Sequence, residues 1–350
     1  MSPIVINGHF KSQAVTGVQR YAREILREFE RKQRDYRYVE PPASLSSDAL
    51  RQLWMQGVMP FGVAGGELLW SPTNIGPVLS RNQVITLHDI ADRLHPEWFD
   101  GRFVRWRSLI LPPLLKRVKG IITVSEYSRK TITEYFPYTK GKIEVIYNGV
   151  RTDHFYPRQD RETAGVKEEF ELNKPFVMTV GSLDPRKNIN GLLKAWNQLP
   201  EAIRGEVELV VIGGGVKSFD FELREETDAS VRFLGYVRDD VLPALYTAAH
   251  LFVYPSLFEG FGLPVLEAMA CRTPVITSNT TSLKELARDH ALTVDPHKPE
   301  EIAEAVSRLL RSEELRDQLA GKGYRYAREG FKWSEAADKT YEYLLQKQQE

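Results

Sequence analysis

Between residues 251 and 270 the chain runs from four consecutive apolar residues, Leu251-Phe252-Val253-Tyr254, through a glycine-containing loop into Leu263-Pro264-Val265-Leu266-Glu267-Ala268-Met269-Ala270. The apolar run predicts a buried strand. Pro264 predicts a helix start, because the N–H it lacks would be unpaired there in any residue. A buried strand that feeds a helix through a tight loop is one unit of an α/β sheet, and the same pattern recurs along the chain. Strands are predicted at Pro3–Ile6, Leu68–Trp70, Val84–Leu87, Gly120–Val124 and Ile143–Tyr147. Others are predicted at Pro175–Val180, Glu208–Ile212, Val231–Val237 and Thr273–Thr277, with helical patterns between them. Val18, Tyr21, Ala22, Ile25, Leu26 and Phe29 fall on one face of the first helix, with Thr16 as its N-cap. Alternation of this kind makes parallel, doubly wound sheets, and 350 residues are too many for one core.

Loops at strand ends are where such folds meet ligands. Gly260 and Gly262 let backbone come close to a bound group, and the free amides of the following helix suit phosphate. Glu259 and Glu267 bracket that pocket, with Glu267 expected in the first helical turn. Acids beside a phosphate site make sense if they face hydroxyls, which points to a ligand carrying both phosphates and sugar rings. The plainer alternative is a pair of solvated helix-cap charges. After the strand ending at Val180 comes Gly181-Ser182-Leu183-Asp184-Pro185-Arg186-Lys187-Asn188, in which a forked guanidinium adjoins a point charge, a combination suited to pyrophosphate. Gly17 offers a second close approach at a helix start. His88 ends a strand in the first half, where it either meets a ligand or is held structurally by Asp89.

Composition narrows the classes. Residues 1–165 hold 24 Lys and Arg against 17 Asp and Glu, and the remainder 23 against 30. The basic half suits an anionic acceptor or an anionic membrane surface, or is simply solvated. The segment Arg102–Lys119, with Trp106 and the pair Pro112-Pro113, reads either as a membrane-lying amphipathic stretch or as a helix packed on the sheet, kinked or divided at the prolines. One cysteine, Cys271, rules out a disulfide within the chain and suits a reducing compartment. No apolar run approaches the ~20 residues of a spanning helix, and the first residues lack the pattern of a signal peptide. The expected location is cytoplasmic, with peripheral contact at the inner face of the plasma membrane. Nothing points to a nucleic-acid partner.

The string Phe258-Glu259-Gly260-Phe261-Gly262-Leu263-Pro264-Val265-Leu266-Glu267 resembles the Glu-x7-Glu motif of the retaining glycosyltransferases of family 4. Thr16-Gly17-Val18, Leu87-His88-Asp89-Ile90 with His95-Pro96-Glu97-Trp98-Phe99, Asn148-Gly149-Val150, and Gly181–Asn188 match further motifs of that family. The resemblance implies the GT-B architecture, in which two Rossmann-like domains face a cleft. Domain limits are expected at 1–165 for an acceptor-binding domain, 166–330 for a nucleotide-sugar-binding domain, and 331–350 for a last helix crossing back to the first domain. Residues 158–174 read as a charged linker. The resemblance also implies roles. Gly17, Gly181, Arg186, Lys187 and the backbone of Gly260, Phe261, Gly262 and Leu263 would hold the donor diphosphate. Tyr236 and Val237 would lie beside the base, Glu267 would bind the ribose, Glu259 the sugar hydroxyls, and His88 would stand near the transferred sugar. Ser282-Leu283-Lys284-Glu285 departs from the family pattern, which commonly has a proline before the acid.

The expected reaction is transfer of a hexose with retention of configuration, mannose from GDP-mannose being the first choice and UDP-sugars the next, to a saccharide acceptor, lipid-linked, in surface-polysaccharide synthesis. The nearest thing to an Asp-x-Asp metal motif is Asp220-Phe221-Glu222, so no metal and no cofactor beyond the donor is expected. A nucleotide-sugar epimerase of the same fold and an inactive sugar-nucleotide binder remain as alternatives. An oxidoreductase is disfavoured, because Gly213-Gly214-Gly215 lacks the later glycine of a dinucleotide fingerprint.

Overall fold

The computed structural model describes residues 2–13, 16–214 and 229–350. The chain divides into two compact units, one formed by Met1–Gly149 with Trp333–Glu350 and the other by Val150–Lys332.

In the first unit, β1 (Ile4–Asn7), β2 (Tyr36–Val39), β3 (Leu69–Ser71), β4 (Gln83–Thr86), β5 (Gly120–Thr123) and β6 (Ile143–Val145) form a sheet in the order β2-β1-β3-β4-β5-β6. Every pairing is parallel. The inner strands are buried along their whole length, as a sheet covered by helices on both faces requires. The predicted first helix spans Gly17–Arg31, and the Thr16 N–H donates to Gln19 Oε1 at 3.2 Å, tying down its start. The helix Gly101–Arg117 runs through Pro112 and Pro113 without dividing. The carbonyls those prolines leave without intrahelical partners are four residues earlier, on Ser108 and Leu109, and both residues are solvent-exposed. Trp106 packs against the core that contains Leu111, Leu114 and Leu115.

The last helix, Trp333–Gln349, belongs to this unit. Asp338 takes Lys32 at 2.6 Å and Arg34 at 2.9 Å, the Tyr341 ring meets Phe29 edge-on, and Tyr343 Oη donates to the Lys142 carbonyl at 2.9 Å. A side chain at Gly120 would collide with the Tyr343 ring, so glycine at the start of β5 is what lets this helix seat.

The second unit holds β7 (Phe176–Val180), β8 (Glu208–Ile212), β9 (Val231–Gly235), β10 (Leu251–Tyr254), β11 (Val275–Ser278) and β12 (Leu292–Val294), again all parallel, in the order β12-β11-β10-β7-β8-β9. The boundary between units falls at Gly149–Val150 and not between 165 and 166. Residues expected as a linker form the helix Asp160–Glu169, which packs on the helix Leu242–Ala248 and so belongs to the second core. The second boundary lies between Lys332 and Trp333.

Strand order decides where the loops meet. In the second sheet the chain moves outward from β7 through β8 to β9, then returns to the other side of β7 as β10. The loops after β7 and β10 therefore leave neighbouring strands in opposite directions and open a crevice between them. In the first sheet the same reversal occurs between β1 and β3. Among the described residues, no helix is long and apolar enough to cross a membrane.

Candidate active site

The crevice beyond β7 and β10 gathers the charged residues that the sequence singles out. After β7, Asp184 caps the short turn Pro185–Lys187, accepting from the Arg186 N–H at 2.9 Å and pairing with its guanidinium at 2.8 Å. Asn188 follows in the left-handed conformation, at φ 54°. Its side-chain amide donates to the Pro255 carbonyl at 3.0 Å and the Pro296 carbonyl at 2.7 Å, and the Leu257 N–H donates to the Arg186 carbonyl at 2.7 Å. These bonds lock the basic loop to the loop after β10.

Lys187 reaches across to Glu259. Its Nζ lies 2.6 Å from Glu259 Oε1 and donates to Tyr254 Oη at 2.7 Å, while Tyr254 Oη donates to the same carboxylate oxygen at 2.8 Å. All three groups are buried or nearly so. Burial by itself would raise the Glu259 carboxyl pKa, but Lys187 and Arg186 outweigh it and hold the carboxyl below its usual range. For Lys187, burial opposes the charge and Glu259 more than restores it, so its pKa is raised. The phenol of Tyr254 is pushed up by burial and by Glu259, and stays protonated. The arrangement is a charged pair bridged by a neutral hydroxyl, in which the cation can turn to an incoming anion while the carboxylate keeps one donor.

The loop carrying Glu259 is pinned from the side. Ser282 Oγ bonds the Glu259 carbonyl at 2.8 Å and the Phe261 carbonyl at 3.1 Å, so the stretch that departs from the family pattern supplies a structural clasp. Gly262 caps the helix Leu263–Ala270 at φ 109°, where an added Cβ would sit 2.6 Å from Leu283 Cδ2. Glu267 lies in the second turn of this helix, not the first. It is buried, and Tyr246 Oη donates to it at 3.4 Å. At the far side of the crevice Gly213 stands at φ 129°, and a side chain there would fall on the Gly181 carbonyl. The strand ends can close up because the Gly181 N–H donates to Ile212 and the Gly213 N–H to Gly235. Tyr236 and Val237 follow β9, an edge strand separated from β7 by β8. The Tyr236 side chain is 81% exposed and Val237 is buried.

Gly17 and His88 belong to the first unit. Gly17 begins its helix beyond β1, and a Cβ there would meet nothing within 4 Å. His88 is buried, its ring edge-on to Tyr21 at 4.7 Å. Its Nε2 lies 3.3 Å from the Pro72 carbonyl, so Nε2 carries the proton, and its backbone N–H donates to Asn74 Oδ1 at 2.7 Å. Burial brings its pKa down to about 4, leaving it neutral at physiological pH. The structural hold on the ring comes from Pro72, which follows β3, and not from Asp89, the partner named in one of the two sequence readings.

Sequence reasoning missed Tyr254, Asn188 and Ser282. A tyrosine ending an apolar strand reads as core, and Asn and Ser in loops read as turn formers. Their signal is position alone: each sits at or beyond the carboxyl end of a strand. Asp220-Phe221-Glu222 and Gly215 lie outside the described residues. Among the described residues, no group of three or more His, Cys, Asp or Glu side chains is placed to hold a metal ion.

Comparison with known proteins identifies the family and the fold. Residues 160–326 match the family model of glycosyl transferases group 1, and residues 68–154 that of glycosyltransferase family 4. The O-antigen chain mannosyltransferase B of Escherichia coli is 36% identical over 262 residues, covering 73% of this chain and 68% of that protein. The chain belongs to the family 4 glycosyltransferases. A second relative, the O-antigen chain mannosyltransferase RfbU of Salmonella typhimurium, is 31% identical over 73% of this chain and 68% of its own. The sucrose-phosphate synthase of Thermosynechococcus elongatus superposes with a TM-score of 0.77 over 99% of both chains at 20% identity, which shows the GT-B fold. As a family 4 glycosyltransferase, the chain carries the Arg186–Lys187 loop and the Glu259–Glu267 segment within the stretch matched to group 1, and His88 within the stretch matched to family 4.

Proposed function

We propose that this glycosyltransferase moves a mannosyl residue from GDP-mannose to a lipid-linked saccharide in surface-polysaccharide synthesis, with retention of configuration and without a metal ion. The observation that carries the reading is the bridged Lys187–Glu259 pair, set beside Arg186 in the crevice between β7 and β10. A departing nucleoside diphosphate needs positive charge and oriented donors where its own charge develops. Lys187, Arg186 and the backbone amides around Gly260–Leu263 are suited to supply them. When a diphosphate draws Lys187 toward itself, Glu259 keeps the Tyr254 hydroxyl and becomes free to accept hydroxyls of the donor sugar. Glu267 is assigned to the ribose and the backbone at Tyr236–Val237 to the base. His88, neutral with its proton on Nε2, is assigned to the sugar or acceptor. No carboxylate is assigned as a nucleophile toward the anomeric carbon. Attack from the leaving-group face, with the departing phosphate taking the acceptor proton, accounts for retention. The names of the two O-antigen mannosyltransferase relatives support mannose and a surface polysaccharide. A UDP-sugar is the second choice of donor.

The test is a thermal-shift panel of GDP, UDP, ADP and dTDP with their sugars, on wild type and Lys187→Ala. A ligand at about 100 times its Kd stabilises by roughly 2.7 kcal/mol. A shift confined to the guanine nucleotides and lost in the variant is expected. A shift only with uridine nucleotides would replace the donor, and none with any would overturn the reading. Turnover in excess chelator is expected to equal that without it, and its loss would refute metal independence. Donor incubated without acceptor should give no epimerised sugar.

A further inference from the structure

We propose that the first unit docks on an anionic lipid bilayer through an apolar ridge formed by the helix Asp48–Gly57, the turn at residues 76–79 and the end of the helix Gly101–Arg117. Leu50 and Leu53 stand three residues apart on the first helix, with Leu53 69% exposed. One turn further on, Gln56 donates to the Gly76 carbonyl at 3.1 Å and accepts from the Val78 N–H at 2.9 Å, fastening this helix to the turn that bears Leu79, itself 67% exposed. From the other side Arg117 donates to the Val78 carbonyl at 3.3 Å. Leu79 is thus held between the two helices, while Trp54, Val78 and Ile110 beneath pack on the core. Val58 and Phe61, both largely exposed, continue the apolar residues past the end of the first helix.

A cluster of exposed large apolar side chains fixed by side-chain-to-backbone bonds needs a partner, and its surroundings indicate which. Arg81, two residues from Leu79, and Lys116 and Arg117 at the end of the second helix are all exposed. The acids nearby are already matched, Asp48 by Arg51 and Glu67 by Arg37. The whole unit holds 23 Lys and Arg against 18 Asp and Glu, whereas the other unit is acidic by the same margin. Leucines that can enter the acyl boundary, beside cations that reach headgroups, are the combination reversible membrane binding requires, since neither suffices alone. Of the two readings the sequence left for the tryptophan-bearing stretch, the packed helix is the one that holds for Trp106, which is part of the core packing. The inference rests on the reading of a lipid-linked acceptor only for its biological purpose; the surface is independent of the donor crevice.

Sedimentation with vesicles tests it. The probes are phosphatidylglycerol with phosphatidylethanolamine, and phosphatidylcholine alone. Wild type, Leu53→Ser/Leu79→Ser and Lys116→Gln/Arg117→Gln are compared at low and high salt. Wild type is expected to bind the anionic vesicles and not the neutral ones, with binding weakened by salt and reduced about tenfold or more in each double variant. The thermal midpoint and the nucleotide-induced shift should stay as in wild type, which separates this surface from the donor site. Wild type remaining in the supernatant, or both variants binding like wild type, would overturn the proposal. So would a solution dimer broken by Leu53→Ser/Leu79→Ser without vesicle binding, which would assign the ridge to a second copy.

Discussion

Replacing Lys187 by Met removes a cation from a site where both partners are largely out of water, the side chains being 16% and 13% exposed. The Glu259 carboxylate then keeps the Tyr254 hydroxyl and the attraction of Arg186, whose guanidinium is already paired with Asp184, too little to compensate a buried charge. Breaking one side of such a pair costs about 3–5 kcal/mol. Lys187→Met should therefore lose about that much stability at neutral pH. Lys187→Met combined with Glu259→Leu removes both charges and should recover to within about 1 kcal/mol of wild type. The pH dependence is diagnostic. In wild type the Glu259 pKa lies below its unfolded value of 4.5, so its stabilisation is present above that value and lost as pH falls through the folded pKa. In Lys187→Met burial raises the carboxyl, the folded state binds the proton more tightly, and stability recovers on acidification. The assay is native-state hydrogen exchange at the Phe252 amide, which bonds the Pro274 carbonyl within the same unit. A loss below about 1 kcal/mol in the single variant, additive effects in the double variant, or parallel pH slopes would refute the argument.

Further outcomes follow from four individual positions. Gly262→Ala should cost roughly 2–3 kcal/mol, because φ is 109° and Leu283 is in the way, whereas Gly17→Ala meets open space and should leave the thermal midpoint unchanged or slightly raised. If Gly17 lies under the donor diphosphate, that same Gly17→Ala protein should bind nucleotide more weakly by calorimetry, and unchanged affinity would remove it from the site. His88, with its folded pKa near 4 against 6.5 unfolded, should make stability fall by roughly 3 kcal/mol as pH drops between those values, since the unfolded state binds the proton first; urea midpoints against pH should show a smaller drop in His88→Asn. Glu259→Gln should lower turnover more than a hundredfold while leaving nucleotide affinity within a few-fold, and unchanged turnover would end its assignment to the donor sugar.

Much of the molecule was determined locally and could be read along the chain. A long apolar run reports burial, and Pro264, Gly262 and the Thr16 cap act within a few residues, so ten of the twelve described strands were legible before any coordinates; the edge strands β2 and β12, only partly buried and without a continuous apolar run, were not. The alternation also fixed the sheet type, since parallel strands need crossover helices. What tertiary structure alone decided is how distant loops treat one another. Arg186 and Lys187 look alike in sequence as adjacent surface cations, yet one turns back on Asp184 and the other crosses to Glu259. The order β10-β7-β8 makes that possible and no local rule encodes it. Likewise residues 160–169 are polar enough to pass for a linker, and only their packing on the helix Leu242–Ala248 assigns them to the second core. The hidden contribution of Tyr254 has the same origin: a strand-end tyrosine becomes a bridge between charges only when parallel pairing brings another strand's loop alongside, because charge pairing depends on separation in space and sequence periodicity reports only which face is dry.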